Sequence, residues 1–305
     1  MDIIISIILG IVQGITEWLP ISSTGHLLLV DEFLHMNVSA DFMNMFKVVI
    51  QLASVIAVIV LYFHKLNPFS PKKSAKQRWN TIELWMKVVV ACIPSAVGLF
   101  IDDIVDEKLS NYVVISLMLI IYGILFIVIE KWNKQRSPRV TKLKELTYWT
   151  ALGIGCFQVL AMVPGTSRSG ATIVGALLIG VARPVAAEFT FFLAIPPMVA
   201  ASGLKLLKFG FHYTGQEIII LLVGCVVSFL VSVFAIKFLM GYIKKHDFTV
   251  FGYYRIILGV VVLAYFLIFV ELDQDTKRAD LMRRHGIRFR FVKRRRSAIW
   301  ALNTN

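Results

Sequence analysis

The 305-residue sequence contains little charge and little cysteine. Only 17% of its residues are Asp, Glu, Lys or Arg, whereas 57% are hydrophobic. The three cysteines, Cys92, Cys156 and Cys225, lie far apart in apolar runs, which argues against a disulfide framework and against a zinc site. The scarcity of charge and several apolar runs of about 20 residues predict a polytopic membrane protein. No basic segment precedes the first apolar run, so we expect no cleavable signal peptide.

Acidic residues are too few to balance the basic ones, and the formal net charge is +13. The segment Gln274–Asn305 alone carries a net charge of +8. Other basic residues lie in loops beside apolar runs, where membrane orientation explains them better than nucleic-acid binding does. We therefore expect no nucleic-acid partner. We interpret residues 1–273 as one integral-membrane domain and residues 274–305 as a basic, disordered tail.

Two polar stretches, Gln13–His26 and Pro164–Thr172, interrupt the apolar sequence. Each is flanked by apolar segments that are too short to cross a bilayer, so we predict two re-entrant helical hairpins. Ionisable groups at membrane depth are costly and are functional candidates by default. These stretches are therefore the first places in which to look for a site.

The rest of the chain predicts six membrane-spanning helices, which makes the fold class all-α. Their approximate bounds are Phe42–Phe63, Leu84–Ile101, Tyr112–Glu130, Glu188–Leu204, Glu217–Met240 and Val250–Val270. Loops 64–83 and 131–147 are basic, whereas loop 102–111 is acidic, so the positive-inside rule orients the chain. This orientation opens the first hairpin to the outer face of the membrane. It also places the basic tail outside, against the rule.

The chain aligns with itself without gaps at a shift of 145 residues. The matched pairs include Gln13 with Gln158, Ser22 with Ser167, and Gly25 with Gly170. The copies cover about 1–63 and 146–208, and three spans separate their starts. An odd number of spans inverts the second copy, and inverted repeats bring paired broken helices together near the midplane. We therefore expect the two polar stretches to form one pocket.

The residue types in this pocket suit a phosphate. Arg168 is the only arginine in the two polar stretches, and its planar donor fork matches phosphate oxygens. The predicted substrate-binding residues are Gln13, Ser22, Thr24, Gly25, Ser167, Ser169, Gly170 and Thr172. The hydroxyl groups could instead satisfy the backbone at helix breaks, and Arg168 could form a structural ion pair with Glu17.

Three further residues could carry out chemistry on a bound phosphate. Glu17 could act as a general base or hold a divalent cation that bridges phosphates. His26 could protonate a leaving oxygen, or act as a base or nucleophile. Ser23 lies between them in sequence and is a candidate nucleophile, and water is equally compatible. Glu17 could also be a helix-terminal carboxylate, and His26 an ordinary satisfied polar group.

Both polar stretches resemble the undecaprenyl-diphosphate phosphatase family of the bacitracin-resistance type (BacA/UppP). The motifs are QGITEWLPISSTGH at Gln13–His26 and PGTSRSGAT at Pro164–Thr172, and the resemblance runs from Met1 to about Val270. It implies a bacterial cell-membrane hydrolase that removes the terminal phosphate of the C55 polyprenyl diphosphate. The product is the monophosphate carrier lipid of peptidoglycan synthesis, and the activity confers bacitracin resistance.

The resemblance also implies roles for individual residues. The implied catalytic residues are Glu17, Ser23, His26 and Arg168, with Mg²⁺ or Ca²⁺ as cofactor and Glu17 as its ligand. Many members have glutamate at the position of Gln13, so Glu17 is expected to be the indispensable acid here. The basic tail has no counterpart in the family.

Other functions are compatible with parts of the pattern. A lipid-phosphate flippase or transporter is the alternative, because inverted repeats are a transporter architecture. A non-catalytic lipid-phosphate binder would have no use for Glu17 and His26. The type-2 phosphatidic-acid phosphatases are excluded, since their signature needs a histidine where this chain has Val174. The nucleophile, the metal and the oligomeric state, including a homodimer, stay open.

Overall fold

Helices dominate the part of the chain that the computed structural model describes, which is residues 1–98, 105, 108–210, 213–270, 289–290 and 301–302. The α-helices are α1 Asp2–Thr16, α2 Ser23–Phe33, α3 Ala40–Leu61, α4 Phe63–Leu66, α5 Ala75–Gly98, α6 Tyr112–Asn133, α7 Tyr148–Val159, α8 Arg168–Ile179, α9 Arg183–Phe209, α10 Gly215–Tyr242 and α11 Thr249–Tyr265. Short 3₁₀ turns cover Leu143–Glu145 and Leu160–Met162, and a π-helical turn covers Phe266–Val270.

The chain divides into two compact units, Met1–Val260 and Val261–Asn305. The second unit contains the two-residue strands β1 Phe289–Arg290 and β2 Ala301–Leu302, which pair antiparallel. Most of the predicted tail lies outside the described residues, so its disorder stays a prediction. The candidate functional site and the cavity described below belong to the first unit.

Among the described residues, five helices are long and apolar enough to cross a membrane. They are α3, α6, α9, α10 and the stretch Thr249–Ile268. The prediction of an all-α, multi-pass membrane protein is therefore confirmed. Helix α5 is not among the five, and its first 13 residues include Lys76, Arg78, Glu83 and Lys87. The predicted span Leu84–Ile101 lies partly in α5, and its residues 99–101 lie outside the described part of the chain, so a sixth span stays a prediction.

Each polar stretch forms a break between two short helices, and the two breaks have the same local structure. Helices α1, α2 and α3 recur as α7, α8 and α9 at the predicted offset of 145 residues. Ser22 (φ 72°) and Ser167 (φ 70°) are the only non-glycine residues with positive φ in the described ranges. Each serine caps the helix that follows, since the Ser22 Oγ accepts the Gly25 N–H at 3.4 Å and the Ser167 Oγ accepts the Gly170 N–H at 3.2 Å.

The first helix of each hairpin packs on a helix that follows the other hairpin. Helix α1 packs on α10, and α7 packs on α5. Glycines permit both contacts, because small residues let helix backbones approach closely. A Cβ added at Gly10 would lie 2.9 Å from the Gly224 carbonyl oxygen, and one at Gly155 would overlap the Ala91 carbonyl oxygen. This exchange of partners interlocks the two copies and brings the two breaks together.

The main hydrophobic core surrounds the breaks. Trp18, which follows α1, is fully buried and meets Phe191 of α9 edge-on at 5.3 Å between ring centroids. Phe192 and Phe126 belong to the same cluster. Aromatic and aliphatic side chains of this core therefore lie directly around the breaks.

Two glycine substitutions, one at the α7–α5 contact and one away from it, test whether these helices are close-packed. Gly155→Ala should destabilise the protein by about 1–3 kcal/mol, since the added methyl group forces the backbones apart. Gly241→Ala, in α10, should be neutral or stabilising, because nothing lies within 4 Å of its added Cβ and alanine favours helix. Thermal unfolding in detergent compares the two variants. Equal melting temperatures would show that the α7–α5 contact is not close-packed.

Candidate active site

An ion pair between Glu17 and Arg168 joins the two breaks. Glu17 is the residue directly after α1, and Arg168 is the first residue of α8. The Arg168 Nη2 lies 3.1 Å from the Glu17 Oε1, with only 14% and 6% of the two side chains exposed. Gln13, one turn earlier in α1, donates from Nε2 to the Glu17 Oε2 at 2.8 Å. Gln13, Glu17 and Arg168 thus form one chain of polar contacts, which contains the Glu17–Arg168 ion pair that the sequence left open as a structural alternative.

Unused hydrogen-bonding groups remain beside this pair. The Arg168 Nη1 donates to the Thr190 carbonyl oxygen at 3.1 Å, and the guanidinium lies over the Trp18 ring at 5.9 Å. The Arg168 Nε and the Gln13 Oε1 are buried without a hydrogen-bond partner. Buried polar groups are nearly always satisfied, so an unsatisfied donor and acceptor at one site require an explanation. A bound ligand would supply partners for both.

The hydroxyl groups of the second break brace its backbone. Ser169 donates to the Glu17 carbonyl oxygen at 3.3 Å and lies 3.2 Å from the Ser167 Oγ. Thr172 donates to the Arg168 carbonyl oxygen at 2.9 Å. The sequence left open whether these hydroxyl groups bind phosphate or satisfy the backbone, and the contacts seen here are with the backbone and with each other. They fix the start of α8 and with it the position of Arg168.

The start of α2 carries the other predicted residues. Ser23 is the first residue of α2 and half-buried, Thr24 is exposed, and Gly25 is buried against Leu119. Ser23 and His26 are three residues apart and therefore share one side of the helix. No hydrogen bond among the described residues joins either of them to the Glu17–Arg168 pair.

Two contacts fix the ring of His26. Its Nδ1 lies 2.7 Å from the Ser22 carbonyl oxygen, which can only accept, so Nδ1 carries a proton. Its Nε2 lies 2.6 Å from the hydroxyl of Tyr254, and the two rings are parallel within 6°. Nε2 is therefore the nitrogen that is left to exchange a proton.

Arg255 of α11 cross-links both breaks and was missed in the sequence. It is fully buried, and its Nη2 donates to the carbonyl oxygens of Gly165 and Thr166 at 2.9 Å each. Its Nη1 donates to the Pro20 carbonyl oxygen at 3.3 Å. No carboxylate of the described residues pairs with it.

The sequence did not point to its neighbour Tyr254 either, and the reason is different for each residue. Arg255 is an ionisable residue inside an apolar run, and the criterion applied to the polar stretches would have found it. Tyr254 gave no such signal, because tyrosine is common at the ends of membrane helices.

The oxygen atoms of this site fit a cation that substrate phosphates would share. No group of three or more His, Cys, Asp or Glu side chains that could hold a metal ion gathers among the described residues. Mg²⁺, however, is commonly held by one or two carboxylates together with substrate phosphates. The Glu17 carboxylate and the unpartnered Gln13 Oε1, one helical turn apart, would be the oxygen ligands in such an arrangement.

The part of the chain that matches a known protein family includes both breaks and Arg255. Residues 6–261 match the model of the family described as Bacitracin resistance protein BacA. The chain belongs to the BacA family. The family resemblance seen in the two motifs is thereby confirmed, and the BacA match ends before the basic tail begins.

Curated BacA-like relatives are similar over nearly their full length. The undecaprenyl-diphosphatase of Desulfitobacterium hafniense is 62% identical over 268 residues, which cover 87% of this chain and 96% of that protein. The one from Enterococcus faecalis is 60% identical over 266 residues, or 86% of this chain and 96% of that protein. The undecaprenyl-diphosphatase 1 of Clostridioides difficile is 57% identical over 269 residues, or 88% of this chain and 97% of that protein.

Removing Arg255 should loosen both breaks. Arg255→Met would leave the carbonyl oxygens of Pro20, Gly165 and Thr166 without their donor, and each unsatisfied buried group costs about 1–3 kcal/mol. We expect a clear fall in melting temperature in detergent. Arg78→Met removes an exposed arginine of α5 and should leave the melting temperature unchanged. The cross-linking role is wrong if the two variants melt alike.

Proposed function

We propose that this protein is an undecaprenyl-diphosphate phosphatase. It hydrolyses the C55 polyprenyl diphosphate to the monophosphate carrier lipid and inorganic phosphate, which serves peptidoglycan synthesis and bacitracin resistance. The observation that carries the proposal is the buried Glu17–Arg168 pair, which joins two helix breaks in a chain of the BacA family. The names of the relatives, undecaprenyl-diphosphatase, support the same substrate.

The diphosphate binds between the two breaks. Helices α2 and α8 both begin there, and helix N-termini attract anions through free N–H groups and the helix dipole. The unpartnered Arg168 Nε gives the guanidinium a donor for phosphate oxygens, and charge-assisted bonds of this kind are strong. Phosphate oxygens then compete with Glu17 for the same guanidinium and free the carboxylate for chemistry.

Hydrolysis transfers the terminal phosphoryl group to water. A nucleophile bonds to the terminal phosphorus while the bond to the bridging oxygen breaks, and that oxygen leaves with the lipid monophosphate. The nucleophile is water, the Ser23 Oγ or the His26 Nε2, and a covalent phosphoryl group on either side chain is then removed by water. Glu17 or His26 takes the proton of the attacking group. Phosphoryl transfer requires little covalent chemistry from the protein. The rate therefore depends mainly on how Arg168 positions the phosphate and stabilises its negative charge.

A divalent cation, Mg²⁺ or Ca²⁺, is the proposed cofactor. The Glu17 carboxylate and the Gln13 Oε1 would hold it together with the diphosphate. When bound, it neutralises charge on the phosphate oxygens. The single carboxylate and the unpartnered amide oxygen support this arrangement.

The proposed topology has six spans and two re-entrant hairpins in an inverted repeat, with the pocket open to the outer face. The recurrence of α1–α3 as α7–α9 and the matched backbone at Ser22 and Ser167 support the repeat. The basic loops at 64–83 and 131–147 support the orientation.

Arg168, Glu17 and His26 should act as one unit in phosphate release. Arg168→Lys keeps the charge but loses the fork, so its rate should fall by at least about 10²–10³-fold, as when one oxyanion donor is lost. Glu17→Gln, which removes the carboxylate but keeps its shape, should cost at least as much. His26→Ala should lower turnover more than it weakens binding. The triple variant should be little worse than the worst single variant, since groups that act together are not additive.

The measurement is phosphate release from a polyprenyl diphosphate in detergent, with lipid binding followed in parallel. Arg78→Lys is a control outside the two polar stretches, since Arg78 is exposed on α5 and its replacement should affect the rate only slightly. The assay is run with Mg²⁺, after EDTA treatment, and with Mg²⁺ or Ca²⁺ restored. Near wild-type rates in all three single variants would show that the site is misassigned. Binding without phosphate release under every metal condition would favour the flippase.

Labelling of single cysteines tests the orientation. Ser74→Cys and Lys108→Cys are placed one at a time in a background without Cys92, Cys156 and Cys225. Both positions are exposed. An impermeant thiol reagent should label position 108 from outside and position 74 only after the membrane is opened. Labelling of both positions from the same side would refute the topology and the inverted repeat together.

A further inference from the structure

A cavity of about 610 Å³ lies away from the two breaks. Its wall includes Asn133 at the end of α6, Arg183 at the start of α9 and Lys244 just after α10. Because α6, α9 and α10 are three of the five candidate spans, a cavity at their ends lies at a membrane surface. The wall also includes Ile179, the last residue of α8, and this 12-residue helix places it roughly 16 Å from Arg168.

The charge of this cavity is entirely positive. Its basic lining residues are Arg136, Arg139, Arg183 and Lys244, and its lining contains no carboxylate. Arg183 is held by the fully buried Glu130, to which its Nε donates at 2.9 Å. The side chains of Arg139 and Lys244 are exposed and have no acidic partner among the described residues. Positive charge is therefore concentrated on one concave surface and is largely unpaired.

The basic loop that forms this wall is fixed in place. The Arg139 N–H donates to the Gly180 carbonyl oxygen at 2.8 Å, and the Ala182 N–H donates to the Val140 carbonyl oxygen at 2.8 Å. These bonds form a parallel bridge between Val140 and Val181. Membrane orientation requires basic residues in a loop, but it does not require the loop to be docked around a cavity.

Apolar and aromatic groups border the positive surface. Leu178, at the end of α8, lines the cavity and is exposed. The Arg136 guanidinium stacks on the exposed ring of Trp132 at 3.7 Å. Tryptophan is enriched at membrane–water interfaces, and basic pockets between membrane helices bind anionic lipid head groups. A free phosphate ion would use the charges but not these apolar groups.

We infer that this cavity is a binding site for the phosphate head group of an anionic glycerophospholipid. Arg139 and Lys244 bind the phosphate, and Arg136 on Trp132 and Leu178 contact the lipid at the membrane surface. The basic loops place this face inside, so the lipid comes from the inner leaflet. The site is separate from the pocket between the breaks and does not depend on the reaction proposed for that pocket.

The test is the dissociation constant of a short-chain phosphatidylglycerol for the purified full-length protein in a neutral detergent. Arg139→Gln combined with Lys244→Gln should weaken binding roughly tenfold or more, since two basic contacts to the head group are lost. The matched control is Lys205→Gln with Lys208→Gln, which removes the same charge from the opposite end of α9. Those exposed lysines are far from the cavity, so the control should bind like the wild type.

Two further ligands distinguish a specific head-group site from nonspecific electrostatic attraction of anions to the basic surface. Short-chain phosphatidylcholine and inorganic phosphate should both bind at least tenfold more weakly than phosphatidylglycerol. The inference is overturned if the control pair loses as much affinity as the cavity pair, or if either further ligand binds as well as phosphatidylglycerol. Each single substitution is measured too, so a double variant that does not fold leaves the test intact. Phosphate release by the cavity variants should stay within a few-fold of wild type, which separates this test from that of the proposed function.

Discussion

The ion pair between Glu17 and Arg168 is the contact on which the site depends. A buried charge without a partner is costly, so each of the two residues stabilises the other at its break. The first hairpin supplies the carboxylate and the second supplies the guanidinium, and each break therefore requires the other. The interlocked packing of α1 on α10 and of α7 on α5 delivers the two residues to the same place. The fold and the site thus share one constraint.

The two breaks show how strain and function coincide. A positive φ in a non-glycine residue costs of order 1–3 kcal/mol and persists only where the surroundings enforce it. At Ser22 and Ser167 this strain is offset because each serine caps the helix that follows it. The N-terminus of that helix then points at the break. The two serines are 145 residues apart, which is the offset of the repeat. A helix-capping serine with positive φ therefore occurs once in each copy.

The sequence predicted the helical membrane class and the meeting of the two polar stretches. It could do so because polar groups in an apolar run are conspicuous and because a repeat implies a shared site. It could not place His26 against Tyr254, since that contact depends on how α11 packs on α2 and tyrosine has no distinctive pattern. It also could not decide the role of Ser169 and Thr172, because a hydroxyl that binds phosphate and one that braces a helix start look alike in sequence.

Arg255 has a consequence for the charge of the pocket. Glu17 and Arg168 cancel each other, whereas Arg255 contacts neutral groups, which are backbone carbonyl oxygens and the Tyr122 ring. The region between the breaks therefore keeps one positive charge that no carboxylate of the described residues pairs with, and a low-dielectric enclosure preserves its field. Such a field attracts the more highly charged of two similar anions more strongly. In the proposed reaction the lipid diphosphate carries more negative charge than its monophosphate, so the resident arginine would bias the pocket toward the diphosphate and ease departure of the lipid product.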